Sequence, residues 1–352
     1  MTGKDFEQII LHHLQEQRLR YPVTEREDLI KFVFQAMLGS GHLLSSRDRV
    51  EQYIQREMGE IPADSGEPLT EELSPDWCRL NLRPAKALGI PPSVIADLML
   101  LSRGSMQFTR QDVSDFCRRR IFPEEARSPE PGDPDRIPDE TWLPSHSAAY
   151  REAYHPAYRV ISADWIPCLE AVRRIAEKQQ ETERLLVTMD GPCASGKTTL
   201  AQKLAELFGA AVVHTDDYVI PHAQKTAERL AIPGGNCDSD RLAGEVAAPW
   251  KRGDPVKTRR YDFRHDRLCP EEELPDCSVL ILEGSYCNLP VIRQYADLRI
   301  FVTASRETRE ARLSVRESAQ SLQKFHEMWI PLEDRYFEAF GLPDSECILI
   351  HL

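Results

Sequence analysis

The chain has 352 residues, enough for two domains and at most three. Apolar residues make up 41% and charged residues 29%, the balance of an ordinary globular protein. With 44 Lys and Arg against 57 Asp and Glu, the net charge of −13 excludes a general nucleic-acid binder, which needs a basic face, though not a local basic cleft for an anionic ligand. No apolar run approaches the ~18 residues that span a bilayer, and the N-terminal MTGKDFEQII puts acids where a secretion signal is apolar. The nine cysteines are odd in number, and no two lie closer than Cys269 and Cys277. They give neither zinc spacing nor a disulfide framework and read as the reduced thiols of a cytoplasmic protein. The expected partner is a small molecule, not a nucleic acid or a membrane; homo-oligomerisation is left open.

Residues 1–122 read as a helical domain. Phe6, Ile9, Ile10 and Leu14 recur near the 3.6-residue period over Asp5–Arg20. Thr24 and Glu27 form a capping box ahead of Leu29, Phe32, Val33 and Met37 on one face, and that helix should stop at Gly39-Ser40-Gly41. Further helices are expected near 46–58, 92–103 and 109–120, the last started by Thr109 and Asp112. Residues 123–183 read as a proline-rich linker and connecting helix. Six of the 25 prolines fall from Pro123 to Pro144, where each removes a donor and forbids helix before it, and 160–180 reads as helical. Tyr150, Tyr154 and Tyr158 recur every four residues, with His146 and His155 nearby, and read as a packing stripe.

From residue 184 to 352 the texture changes. Leu185–Met189, Ala211–His214, Val279–Leu282, Leu298–Val302 and Ile348–Ile350 are brief, nearly continuous apolar runs separated by helical patterns. Such runs are expected of parallel strands covered on both faces. The fold class is therefore α/β, a parallel five-stranded sheet flanked by helices and preceded by the mostly α-helical domain, and the G-x-x-x-x-G-K-[ST] pattern of Gly191–Thr198 after its first strand makes it P-loop NTPase-type.

The strongest signal is Gly191-Pro-Cys-Ala194-Ser195-Gly196-Lys197-Thr198-Thr199, which fits G-x-x-x-x-G-K-[ST]. The preceding LLVTMD is a strand and the following TTLAQKLAELF an amphipathic helix, the context that this motif requires. Glycines let backbone N–H groups curl around an anion, and the helix points its positive end at the same place. Gly191, Ala194, Ser195, Gly196, Lys197, Thr198 and Thr199 are thus the candidate nucleotide-binding set. Lys197 would reach the β- and γ-phosphates and Thr198 would offer its hydroxyl to Mg²⁺. Cys193, at a helix N-terminus inside this loop, is expected to have a lowered pKa and to react with thiol reagents.

Three classes of P-loop protein lack their marks here: there is no N-K-x-D of a GTPase, no LSGGQ of a transporter ATPase and no D-E after an apolar run as in motors and helicases. The third strand instead ends in Glu283-Gly284, so one carboxylate stands beside the loop, placed to help hold Mg²⁺. The second strand ends in His214-Thr215-Asp216-Asp217-Tyr218, with carboxylates at the edge where ligands bind in parallel sheets. A base there could take the proton of an attacking hydroxyl. Arg309, Arg312 and Arg316, spaced by three and four, share one helix face after the fourth strand.

These segments, in this order, together with Tyr261-Asp262-Phe263, Leu280–Gly284 and the Phe325…Trp329-Ile-Pro-Leu-Glu333…Tyr336-Phe337 stretch, resemble the uridine kinase and phosphoribulokinase group of P-loop kinases over roughly residues 184–352. Related kinases also carry an N-terminal helical extension with a motif like Gly39-Ser40-Gly41-His42. The resemblance implies ATP and Mg²⁺ as cofactors and phosphoryl transfer to a hydroxyl of a small metabolite, a nucleoside first. Another small alcohol such as pantothenate or a sugar phosphate is the alternative acceptor, and a nucleotide-sensing regulatory module the alternative class. It makes Asp216 the base with Asp217 and Tyr218 beside the acceptor, Arg312 and Arg316 the lid cations on the phosphates, and Tyr261, Phe263 and His265 an acceptor-binding segment in which the His stands one residue early. The aspartate that holds ribose hydroxyls falls on Asp238, with Asp240 as the alternative register.

Overall fold

A computed structural model describes residues 3–39, 46–102, 108–123, 144–263 and 265–352. The motif residues Ser40, Gly41 and His42, and the prolines at 129, 131, 134 and 138, lie outside the described residues. The chain divides into two units, Met1–Ile166 and Pro167–Leu352. No helix among the described residues is long and apolar enough to cross a membrane.

The first unit contains α1 (Gly3–Arg20), α2 (Arg26–Leu38), α3 (Arg47–Glu60), α4 (Leu82–Ala87), α5 (Pro92–Leu101), α6 (Arg110–Phe116) and α7 (Ala148–Tyr154). It also contains an antiparallel sheet of β1 (Thr70–Glu72), β2 (Trp77–Asn81) and β3 (Tyr158–Ser162), in that order. This sheet was not expected. Every residue of β2 is buried, so its WCRLN shows no alternation, and its partner lies far along the chain, Trp77 facing Ser162. Residues 160–162, read as the start of a helix, belong to the strand Tyr158–Ser162, and the helix α8 begins only at Leu169 (Leu169–Lys178). The α2 cap also differs: Glu25 precedes the helix, and its N–H donates to the Asp28 carboxylate at 3.0 Å, while the Thr24 hydroxyl turns back to the Tyr21 carbonyl. Asp28 can serve there because it is anchored inward by Ser147 Oγ at 2.7 Å and His146 Nδ1 at 2.7 Å. Thr109 and Asp112 do cap α6.

A buried polar network joins α1, α2 and the sheet. Arg79, 2% exposed, donates to Gln17 Oε1 at 2.7 Å and through Nη2 to Gln35 Oε1 at 3.0 Å, with its guanidinium 4.5 Å from the Tyr158 ring. Its Nη1 lies 3.7 Å from Glu71, which also accepts from Arg20 at 2.9 Å and the Tyr21 hydroxyl at 2.7 Å. His146 stacks on Tyr150 at 4.2 Å between ring centres, and burial pushes its pKa down to about 4. Tyr150 and Tyr158 are thus packing residues.

The second unit is built on five parallel strands: β4 (Leu185–Asp190), β5 (Ala211–His214), β6 (Val279–Glu283), β7 (Leu298–Thr303) and β8 (Cys347–His351). Their order is β8-β7-β4-β6-β5. All five are the apolar runs read from the sequence. Helix α9 (Lys197–Phe208) leads from β4 to β5 and buries Leu200, Ala201, Leu204 and Leu207. The chain leaves β4 toward β5 on one side and leaves β6 toward β7 on the other. The crevice where ligands bind in such sheets therefore opens at the carboxyl ends of β4 and β6. Helices α10 (Arg306–Arg316), α11 (Ala319–Lys324) and α12 (Ile330–Phe340) lie between β7 and β8.

Arg79→Ala leaves Glu71 buried without its inner cation and should cost about 3 kcal/mol in the urea unfolding transition of the first unit; a cost below about 1 kcal/mol would show that the network is dispensable. Burial opposes ionisation of Glu71, yet the Tyr21 hydroxyl, Arg79, Gln17 and Arg20 together hold its pKa below the usual carboxylate range. Its contribution is therefore full above the ordinary carboxylate pKa and is lost as pH falls through the lower folded value.

Candidate active site

The turn after β4 takes its shape from residues that lack or tolerate little side chain. Gly191 has φ +143°, and a Cβ on it would lie 2.0 Å from the Val302 carbonyl oxygen of β7. Ala194 has φ +57° and Gly196 φ +103°. Ser195 is buried, and its Oγ has no hydrogen-bond partner. Lys197 opens α9 with its ammonium folded onto the loop, donating to the Gly191 and Pro192 carbonyls at 2.6 and 2.9 Å. Thr198 and Thr199 follow on the exposed first turn.

Strand register assembles the polar edge. Glu283 at the end of β6 lies opposite Met189 of β4 and His214 of β5. Its Oε1 accepts from Thr198 Oγ1 at 3.0 Å and contacts His214 Nδ1. That hydrogen bond raises the His214 pKa. Gly284 follows with φ +128°, where a Cβ would lie 2.1 Å from Thr215 Oγ1. Asp216 is exposed to solvent, and desolvation by the surrounding protein raises its pKa against the pull of Lys197, with Glu283 raising it further. Burial raises Asp217 as well.

Lys197, Thr198, Glu283 and Asp216 are thus brought to one sheet edge. Arg312 joins them from α10, its Nη1 donating to the Ala194 and Ser195 carbonyls at 3.1 and 3.0 Å, so it clasps the outer side of the loop. Arg316 is exposed, bound to Glu317 at 2.7 Å, and its charge acts on Asp216. Tyr218 departs from expectation: it is fully buried beneath the Arg241 guanidinium, 4.2 Å from the ring centre, a packing position. Asp238 sits beside that segment, its N–H on the Tyr218 carbonyl at 2.7 Å and its carboxylate on Arg241 at 3.0 Å, whereas Asp240 is exposed. Tyr261, Phe263 and His265 lie in a separate hairpin with bonds of its own. Tyr261 gives its hydroxyl to Asp266, His265 Nδ1 lies 2.6 Å from Asp262, and the Phe263 ring is exposed.

Sequence reasoning missed the supports under the loop. Asp190 accepts the Gly191 N–H at 2.7 Å, the Asn288 N–H at 3.1 Å and the Tyr336 hydroxyl at 2.7 Å, and burial pushes its pKa up to about 6. Glu333 accepts the Cys193 N–H at 2.8 Å and Ser285 Oγ–H at 2.6 Å. Glu333 and Tyr336 stood in the sequence only as part of the segment that carries the resemblance, with no role assigned, and Asp190 only as an acid ending an apolar strand. The expected lowering of the Cys193 pKa is overturned: burial, with the Glu333 carboxylate beside it, pushes the thiol up to about 12.

This fold and turn define a P-loop nucleotide-binding unit. Residues 186–321, which lie within the second unit, match the model of the Phosphoribulokinase / Uridine kinase family. The chain is similar to inorganic pyrophosphatase TTM1 of Arabidopsis thaliana, with 25% identity over 199 residues, 52% of this chain and 29% of the relative. It is also similar to uridine-cytidine kinase C of Dictyostelium discoideum, with 24% identity over 196 residues, 51% of this chain and 40% of the relative. The chain thus spans less than half the length of either relative. A solved structure described as a possible uridine kinase from Bacillus stearothermophilus aligns over 51% of this chain and 99% of its own, at 19% identity and a TM-score of 0.38.

Buried Cys193 should resist alkylation in the native protein, while the partly exposed Cys269 and Cys277 react first. Peptide mapping after brief iodoacetamide treatment reads this directly, and early labelling of Cys193 would contradict the buried loop.

Proposed function

We propose that the chain transfers the γ-phosphoryl group of ATP to a hydroxyl of a small metabolite, with a nucleoside as the first acceptor to test. The observation that carries this reading is the meeting of a phosphate loop, the Thr198–Glu283 oxygen pair and Asp216 at one sheet edge. In this reading the loop amides and the N-terminal end of α9 hold the triphosphate, and Lys197 exchanges its two carbonyl acceptors for phosphate oxygens. Thr198 Oγ1 and Glu283 Oε1, already 3.0 Å apart, are the hard oxygen donors that suit Mg²⁺ or its water shell. Mg²⁺, when bound, supplies charge neutralisation on the phosphates. Asp216 accepts the proton of the acceptor hydroxyl as its oxygen bonds to the γ-phosphorus and ADP departs. Arg312 and Arg316 bring positive charge to the loop rim, where charge on the transferring group is offset. Catalysis is then chiefly positioning and electrostatics. Asp217 and Asp238 flank the acceptor side, and the hairpin with Tyr261, Phe263 and His265 is the expected acceptor wall. Pantothenate and sugar phosphates present the same chemistry, and a panel of acceptors with coupled ADP detection separates them from nucleosides.

Asp216→Asn should lower kcat by about a hundredfold or more while leaving ATP affinity nearly unchanged. The raised pKa of Asp216 should also carry the acidic limb of the rate profile above the usual carboxylate range, activity falling as pH drops and the base is protonated. Near-normal turnover in the variant would remove Asp216 from the mechanism.

A further inference from the structure

Glu333 is nearly fully buried, 7% exposed, on the face of α12 that meets the phosphate loop. Its two oxygens are both committed, one to the Cys193 N–H at 2.8 Å and the other to Ser285 Oγ at 2.6 Å. Ser285 Oγ also lies 3.1 Å from the Gly191 carbonyl. Three positions further on the same helix, the Tyr336 hydroxyl donates to Asp190, whose other oxygen holds the Gly191 N–H. One helix face therefore braces the first three residues of the loop, from Gly191 to Cys193.

The choice of an acid there carries a conflict. Charge-assisted hydrogen bonds hold a backbone amide about twice as strongly as neutral ones. Yet a buried negative charge beside a site for a polyanion opposes the ligand. A neutral amide of the same shape would brace the loop without that opposition. We propose that Glu333 is a positioning residue with two linked effects: it fixes the loop in its binding-competent shape, and its charge holds nucleotide affinity down so that the nucleotide product can leave. The inference rests on the nucleotide-binding reading above and adds a determinant of that affinity on a helix remote in sequence from the P-loop motif.

The two effects separate by substitution. Glu333→Gln keeps an oxygen for the Cys193 N–H and an NH₂ group for Ser285 while removing the charge. Glu333→Leu keeps the volume and removes both bonds, so that the competent loop shape is only fractionally populated and apparent affinity falls by that fraction. Calorimetric titration of the full chain with Mg²⁺ and ATP should give a Kd about three- to tenfold lower for Glu333→Gln and about tenfold or more higher for Glu333→Leu. A merely structural role would move both variants toward weaker binding. If Glu333→Leu does not fold, Ser285→Ala removes one of the two bonds without changing charge and should weaken binding about threefold. Movement of the Gln and Leu variants in one direction, no movement in either, or no effect of Ser285→Ala in that second arm overturns the inference. Failure of the wild-type chain to bind ATP would instead overturn the nucleotide-binding reading, and it is seen before any variant is compared.

Discussion

The carboxyl edge of the second unit depends on a single steric constraint: the chain must turn at Gly191 against the carbonyl of Val302, where no Cβ fits. That close approach lets the central strand β4 pass directly into the loop and then into α9. Once the turn is fixed, the parallel register does the rest. It places Glu283 one strand away, within reach of Thr198, and sets His214 beside Glu283 at the end of β5. Asp216 follows two residues beyond His214. The chemistry of the site is largely a consequence of which strand ends are neighbours in the order β8-β7-β4-β6-β5.

The electrostatics of this edge are arranged in layers. Asp190, Glu283, Glu333 and Asp216 put several carboxylates close to a site meant for phosphates, an arrangement that would repel the ligand if all faced it. Asp190 and Glu333 are instead engaged by backbone N–H groups and orient the turn, so that of these two only the Glu333 charge is assigned a role in opposing the ligand. The burial that raises Asp190 to about 6 also marks it as a group enclosed by protein, braced by the Tyr336 hydroxyl. The cations Lys197 and Arg312 satisfy loop carbonyls, while the Ser195 N–H donates to the Pro192 carbonyl at 3.2 Å.

Much of this was legible in the sequence because the signals were local. Five buried parallel strands read as five apolar runs, and the phosphate loop carries its glycines at fixed spacing between a strand and a helix. What was not legible depended on contacts between distant segments. The β1–β2–β3 sheet pairs Trp77 with Ser162, and β2 is buried throughout, so no alternation announced it. Tyr218 looked like a ligand-facing aromatic from its place after the aspartates, but packing draws it beneath Arg241. Cys193 looked activated because a helix N-terminus lowers a thiol pKa; desolvation and the Glu333 carboxylate, supplied from residues far along the chain, reverse the sign.

The account stands on the capacity of the Gly191–Thr199 turn to hold a triphosphate. Equilibrium dialysis of the full chain with Mg²⁺ and ATP tests it most directly. Stoichiometric retention of ATP by the folded protein, lost on Lys197→Ala with the fold intact by circular dichroism, is the predicted result. Folded protein that retains no purine nucleotide, or retention unaffected by loss of Lys197, would contradict it.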